Sequence, residues 1–76
     1  MSDSTYKIIE LVGTSTDGIE TAVRNAIAQA DKSLKNLDWF EVREIRGNIA
    51  DGQPQWFQVK LGIGFKVLSP EELGKD

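Results

Sequence analysis

The sequence predicts an α+β domain whose elements run strand, helix, strand, strand, with the helix on one face of a three-stranded, mostly antiparallel sheet. Three observations predict it. Apolar residues recur at helical spacing from Ile19 to Leu34. Two later stretches, around residues 39–49 and 55–68, alternate at the period of a strand. An Asp51-Gly52 pair, a strong hairpin signal, separates those two stretches.

The first strand is expected over Thr5–Val12, where Tyr, Ile, Leu and Val supply β-branched and aromatic side chains. Residues 13–18, Gly-Thr-Ser-Thr-Asp-Gly, read as a loop. In the helix, Ile19, Ala22, Val23, Ala26, Ile27, Ala30 and Leu34 form one stripe of a 3.6-residue repeat. Asp17 is the expected N-cap, with Glu20 three residues on as its capping-box partner. Glu20–Arg24 and Asp31–Lys35 are acid-before-base i,i+4 pairs. Lys32 and Lys35 suit the negative end of the helix dipole, and Asn36 is the expected C-cap.

The second strand is expected from Trp39 to about Ile49. Phe40 and Val42 share one face, and Trp39, Glu41 and Arg43 the other. Past that point the apolar residues Ile45 and Ile49 occupy odd positions. Strict alternation would bury Glu44 and Arg46, so one extra residue near Arg43-Glu44, a β-bulge, is required. After the bulge, Arg46 shares the face of Trp39. The third strand carries Phe57, Val59, Leu61, Ile63 and Phe65 toward the helix. Its opposite face carries Trp56, Gln58, Lys60, Gly62, Gly64 and Lys66. Mid-strand glycines on that face point to close approach of another backbone or a ligand. Residues 1–4 and 69–76 are expected to be loose ends flanking a domain over 5–68.

Composition narrows the function. The chain has 76 residues, 39% hydrophobic and 28% charged, which fits one small globular domain. It has no cysteine and no histidine. That removes disulfides, the usual zinc ligands, the Ser-His-Asp triad and the commonest neutral-pH general base. Nine basic against twelve acidic residues, net −3, with no basic run, give no nucleic-acid footprint. No apolar run reaches a membrane span and no signal peptide is evident, so a cytoplasmic protein is expected. A domain of this size without staples needs another source of stability, and oligomerisation is the remaining common one.

Catalytic groups are not evident. The acidic residues of the helix lie on its solvated face. The Gly13-Thr14-Ser15 turn lacks the lysine and the glycine spacing of a phosphate loop. The outer sheet face is more informative. Trp39 is either an interface tryptophan or a stacking platform for a flat aromatic ligand. Gln58 on the same face is either an interface side chain or a donor–acceptor pair for a ring edge.

Three stretches then carry a family resemblance: Tyr6–Ser15 (YKIIELVGTS), Leu37–Gly47 (LDWFEVREIRG) and Phe57–Lys66 (FQVKLGIGFK). With the helix between them they span about residues 5–68. In their order and spacing they resemble the dodecins, small flavin-binding proteins, in their bacterial form. The resemblance implies a β1-α-β2-β3 fold with the sheet wrapped around the helix, and assembly to a homododecamer. It implies flavins stacked between tryptophans of neighbouring subunits. Trp39 matches the stacking residue, Gln58 the glutamine at the ring edge, and Arg46 the arginine near the phosphate or side chain. Asp38 adjoins the tryptophan and lines the pocket. FMN is the expected cofactor, with FAD or riboflavin as alternatives. Lys7, Lys35 and Lys66 are candidate positions for coenzyme A. Trp56 has no counterpart in the family pattern, nor does Gly18 where the family places a polar residue at the helix start.

The function these features imply is flavin storage and buffering without catalysis, with the indole quenching flavin photochemistry. Two other readings stay open: a flavin-dependent electron-transfer module, and an assembly protein whose tryptophans serve only as interface.

Overall fold

The computed structural model describes residues 4–67, so of the two expected loose ends only Ser4 falls within it. The order is β1 (Thr5–Ser15), α1 (Ile19–Asp31), β2 (Leu37–Ala50) and β3 (Gln53–Val67). β3 is the central strand, paired antiparallel with β1 on one side and β2 on the other.

The core forms where α1 meets the sheet. Ala22, Ala26 and Ala30, four residues apart, present a flat stripe of methyl groups to Val59, Leu61 and Ile63 of β3. Small side chains let the helix approach closely, and all six residues are buried. Gly13 belongs to the same contact. A Cβ there would collide with the Ala22 carbonyl oxygen, so β1 and α1 meet backbone to backbone. Asn25 Nδ2 donates to the Thr14 carbonyl at 3.0 Å and ties the helix to the end of β1.

The helix rests on β1 and β3 and makes no comparable contact with β2. Phe40, Val42 and Ile45 therefore face the helix side as the alternation requires, yet remain 49%, 44% and 51% exposed. The hairpin also outruns β1, whose last partner on β3 is Phe57. From Asn48 to Trp56 the sheet is a two-stranded ribbon, and the protomer is 56 Å long but only 20 Å and 14 Å across.

The predicted bulge is present: Val42 pairs with Leu61 and Glu44 with Lys60, leaving Arg43 as the extra residue. A second irregularity leaves Asp38 unpaired between Leu37 and Trp39. The hairpin turn is the two-residue Asp51-Gly52, both with positive φ (54° and 74°), the twist that a tight hairpin needs.

Three local expectations are corrected. The strand extends through Ser15, where a loop from Gly13 was expected, because pairing with β3 continues to Phe57. Asp17 does not cap the helix. Gly18 occupies the cap position without any side-chain hydrogen bond, while the Asp17 N–H donates to Ser15 Oγ at 2.9 Å. The helix ends at Asp31 with Lys32 as its cap, before Lys35 and Asn36. Its last turn tightens, with Ser33 N–H donating to the Ala30 carbonyl. Asn36, at φ 64°, turns the chain into β2 instead, and its carbonyl accepts from the Lys66 N–H at 3.3 Å. The Glu20–Arg24 pair forms as expected, at 2.7 Å.

Candidate functional site

The outer face of the sheet carries the candidate residues. Period-two geometry places Tyr6, Ile8 and Glu10 of β1, Trp56 to Lys66 at even numbers of β3, and Trp39, Glu41, Glu44 and Arg46 of β2 on it. Trp39 pairs with Gly64, and its six-membered ring lies where a Cβ of Gly64 would stand. The indole thus crosses the central strand and meets Tyr6 of β1 beyond it. The two ring centroids are 5.3 Å apart at 62°, an edge-to-face contact. Trp39 keeps 38% of its surface exposed.

Gly62 has the same arrangement one step along. Its missing Cβ makes room for the Arg43 guanidinium, whose atoms lie 2.8–3.0 Å from that position. From there Arg43 donates to Glu10 of β1 at 3.0 Å and to Glu41 of β2 at 3.2 Å. Its pKa is raised above the ordinary guanidinium value, chiefly by the Glu10 hydrogen bond. The two glycines admit side chains of their own chain.

Arg46 and Gln58 form a second group. They are register partners, and Arg46 Nε donates to Gln58 Oε1 at 2.9 Å. A narrow cleft beside them is bounded by Val12, Glu44 and Lys60. Further along the ribbon, Asn48 Oδ1 accepts from the Trp56 N–H and Asn48 Nδ2 donates to Gln55. That contact gives Trp56 a place in the hairpin arm.

The structure brings Arg46 and Gln58 together but keeps both away from Trp39. Gln58 and Gly64 are six residues apart on an extended strand, about 20 Å. An isoalloxazine ring is shorter than that span. One lying on Trp39 cannot present its edge to Gln58 of the same protomer. Asp38, the unpaired bulge residue, is exposed and borders an apolar hollow of about 150 Å³ with Ile27, Leu37, Phe40 and Ile63 between α1 and β2. Lys7, Lys35 and Lys66 all lie near one end of the sheet, but Lys66 is on the outer face and Lys7 on the helix face, opposite Phe65. They do not make one anion cradle within a protomer.

This architecture has close counterparts. The sequence profile described as Dodecin matches residues 5–68. The chain belongs to the dodecin family. It is 52% identical to the Thermus thermophilus dodecin over 62 residues, 82% of this chain and 90% of that one. Among solved structures, the Streptomyces coelicolor dodecin superposes with a TM-score of 0.84 at 51% identity, covering 91% of this chain and 99% of the other. The Streptomyces davaonensis dodecin gives 0.82 at 46%, covering 90% and 100%. Dodecins are small binding proteins and not a family of enzymes.

In this dodecin, two features of the site escape the sequence reading. Tyr6 sits on the outer face by simple alternation, but its contact with Trp39 depends on β3 lying between β1 and β2. The Arg43–Glu10 bridge depends on the same strand order. Among the described residues no group of three potential ligands could hold a metal ion, and no helix is long and apolar enough to cross a membrane.

Proposed function

We propose that this dodecin binds and stores flavin, with FMN the leading ligand, in sites that neighbouring subunits of a homododecamer build together. The observation that carries the reading is the division of the outer face. An indole lies flat over Gly64 at one end, and a guanidinium–carboxamide pair sits about 20 Å away at the other. Each half is incomplete alone, and a second subunit supplies the missing half.

The residues fit such a ligand. Trp39 offers one rigid ring face, with the other backed by the Gly64 backbone. Gln58 offers a donor and an acceptor side by side, which suit the mixed donor–acceptor edge of an isoalloxazine. Arg46 orients the Gln58 carboxamide by donating to its oxygen, which leaves the amide hydrogens to donate to the ligand. Its remaining N–H groups are available to a phosphate. Asp38 borders the hollow beside the indole. When bound, flavin supplies a photoexcited ring able to take an electron from the indole and return it. Trp39, held against the ring, is the donor that makes this return fast, so the bound flavin is shielded from photochemistry. Such a role requires no turnover and no general acid or base. Coenzyme A is proposed as a second ligand, drawn to Lys7, Lys35 and Lys66 only where assembly brings lysines of different subunits together.

The test is a fluorescence titration of FMN with three proteins. Wild type is expected to quench flavin emission to saturation. Trp39→Ala is expected to weaken binding by about two factors of ten, since each aromatic stacking contact contributes ~1–3 kcal/mol. Gln58→Leu is expected to weaken binding while leaving quenching deep at saturation. Unchanged affinity in Trp39→Ala contradicts the proposal. Steady reduction of bound flavin by NADH with turnover would favour an electron-transfer module instead.

A further inference from the structure

We infer that Tyr6 is a positioning residue of the stacking site, holding the Trp39 indole in the plane that a flat ligand requires. This rests on the flavin reading above and adds to it a residue that the motif does not mark. Trp39 reaches its position by a long path. It leaves an outer strand, crosses the central strand over Gly64 and ends beyond it. Gly64 gives the ring a floor but no lateral stop, because a glycine has no side chain to press against it. At its far end the indole meets Tyr6, its only aromatic partner among the described residues, at 5.3 Å and 62°. An edge-to-face pair has a preferred geometry, so Tyr6 resists both tilt and sideways swing of the indole.

The neighbouring strand fixes Tyr6 in turn. Its backbone pairs with Lys66, two residues from Gly64, so floor and stop are set by one register. The cost of a mobile indole falls on binding. A ligand that stacks on a swinging ring must first order it, whereas a ring already held is ready. Tyr6 acts through its ring, and its hydroxyl is not required. That distinguishes positioning from a direct hydrogen bond to the ligand.

The experiment uses the full chain with Trp56→Phe as background, so that Trp39 is the only tryptophan. Time-resolved fluorescence anisotropy of Trp39 is measured without ligand, and FMN affinity is measured by titration, for Tyr6, Tyr6→Phe and Tyr6→Leu. Size exclusion checks that each variant assembles like its parent. Tyr6→Leu is expected to increase the fast local motion of Trp39 and to weaken FMN binding about two- to tenfold, the worth of one aromatic pair. Tyr6→Phe is expected to restore both. Equal FMN affinity for the Leu and Tyr proteins overturns the inference, as does failure of Tyr6→Phe to restore the affinity. If the parent leaves FMN emission untouched, the flavin reading fails on its own. The ligand-free anisotropy then decides whether Tyr6 holds Trp39.

Discussion

Trp39 can lie across the sheet only because residue 64 has no side chain. Gly64→Ala sets a methyl group too close to the six-membered ring of the indole, and the ring, being the end of a side chain, must swing away. The expected result is a large loss of FMN quenching with little loss of thermal stability, read by titration and by a melting curve on the same sample. Arg46→Ala makes a contrasting case. It removes the donor that orients Gln58, which affects both ligands, and the N–H groups proposed for the phosphate, so it should weaken FMN more than riboflavin, which lacks the phosphate; equal effects on the two ligands would argue against a phosphate contact. Alternation alone places Trp39 and Gln58 on one face, and the displaced apolar phase of Ile45 and Ile49 places the bulge that puts Arg46 there too. Their separation along β3 is not readable from the sequence. It follows from which strand is central and which residues pair, and both depend on contacts distant in the chain.

At the scale of elements, the Arg43 bulge keeps the two halves of β2 in phase with the core. Deleting Arg43 would turn Ile45 outward and Glu44 and Arg46 toward the helix side, so the deletion should fail to give soluble, cooperatively melting protein. Substituting Arg43 by Ala keeps the bulge and loses only exposed ion pairs, so its melting temperature should fall by a few degrees at most. The raised pKa of Arg43 means its contribution is fully present below the unfolded value and is lost only as pH rises through the folded one. The bridge therefore persists across neutral pH. At the other face, Gly13→Ala sets a methyl group against the Ala22 carbonyl and Ala26, and should lower the melting temperature far more than Arg43→Ala. The helix stripe, the bulge and the Asp51-Gly52 turn were legible because each is a local pattern. The missing Asp17 cap was not: the Ser15 hydroxyl competes for the Asp17 N–H, and pairing with β3 carries the strand past Gly13 to Ser15. Leu34 explains the overlong helix prediction, since it stays half-buried in the turn after the helix ends.

The molecule as a whole is a poor monomer. One helix covers two strands of three, Phe40, Val42 and Ile45 lie exposed on the helix side of the strand it leaves bare, and the hairpin arm carries Ile49 77% exposed. A two-stranded ribbon is marginal in water by itself. The proposed assembly buries such surface, and the same association completes the proposed flavin site. Phe40→Asp, which adds a charge to the uncovered strip, should shift the protein to smaller species on size exclusion. FMN binding should fall in parallel, although neither Trp39 nor Gln58 is altered. The most direct measurement follows FMN fluorescence and molecular mass together as wild-type protein is diluted. The expected result is quenching to an equimolar end point in a species near the mass of a homododecamer, and release of FMN as that species dissociates. Full quenching by dissociated protomers would contradict it, as would an intact assembly that leaves FMN emission unchanged.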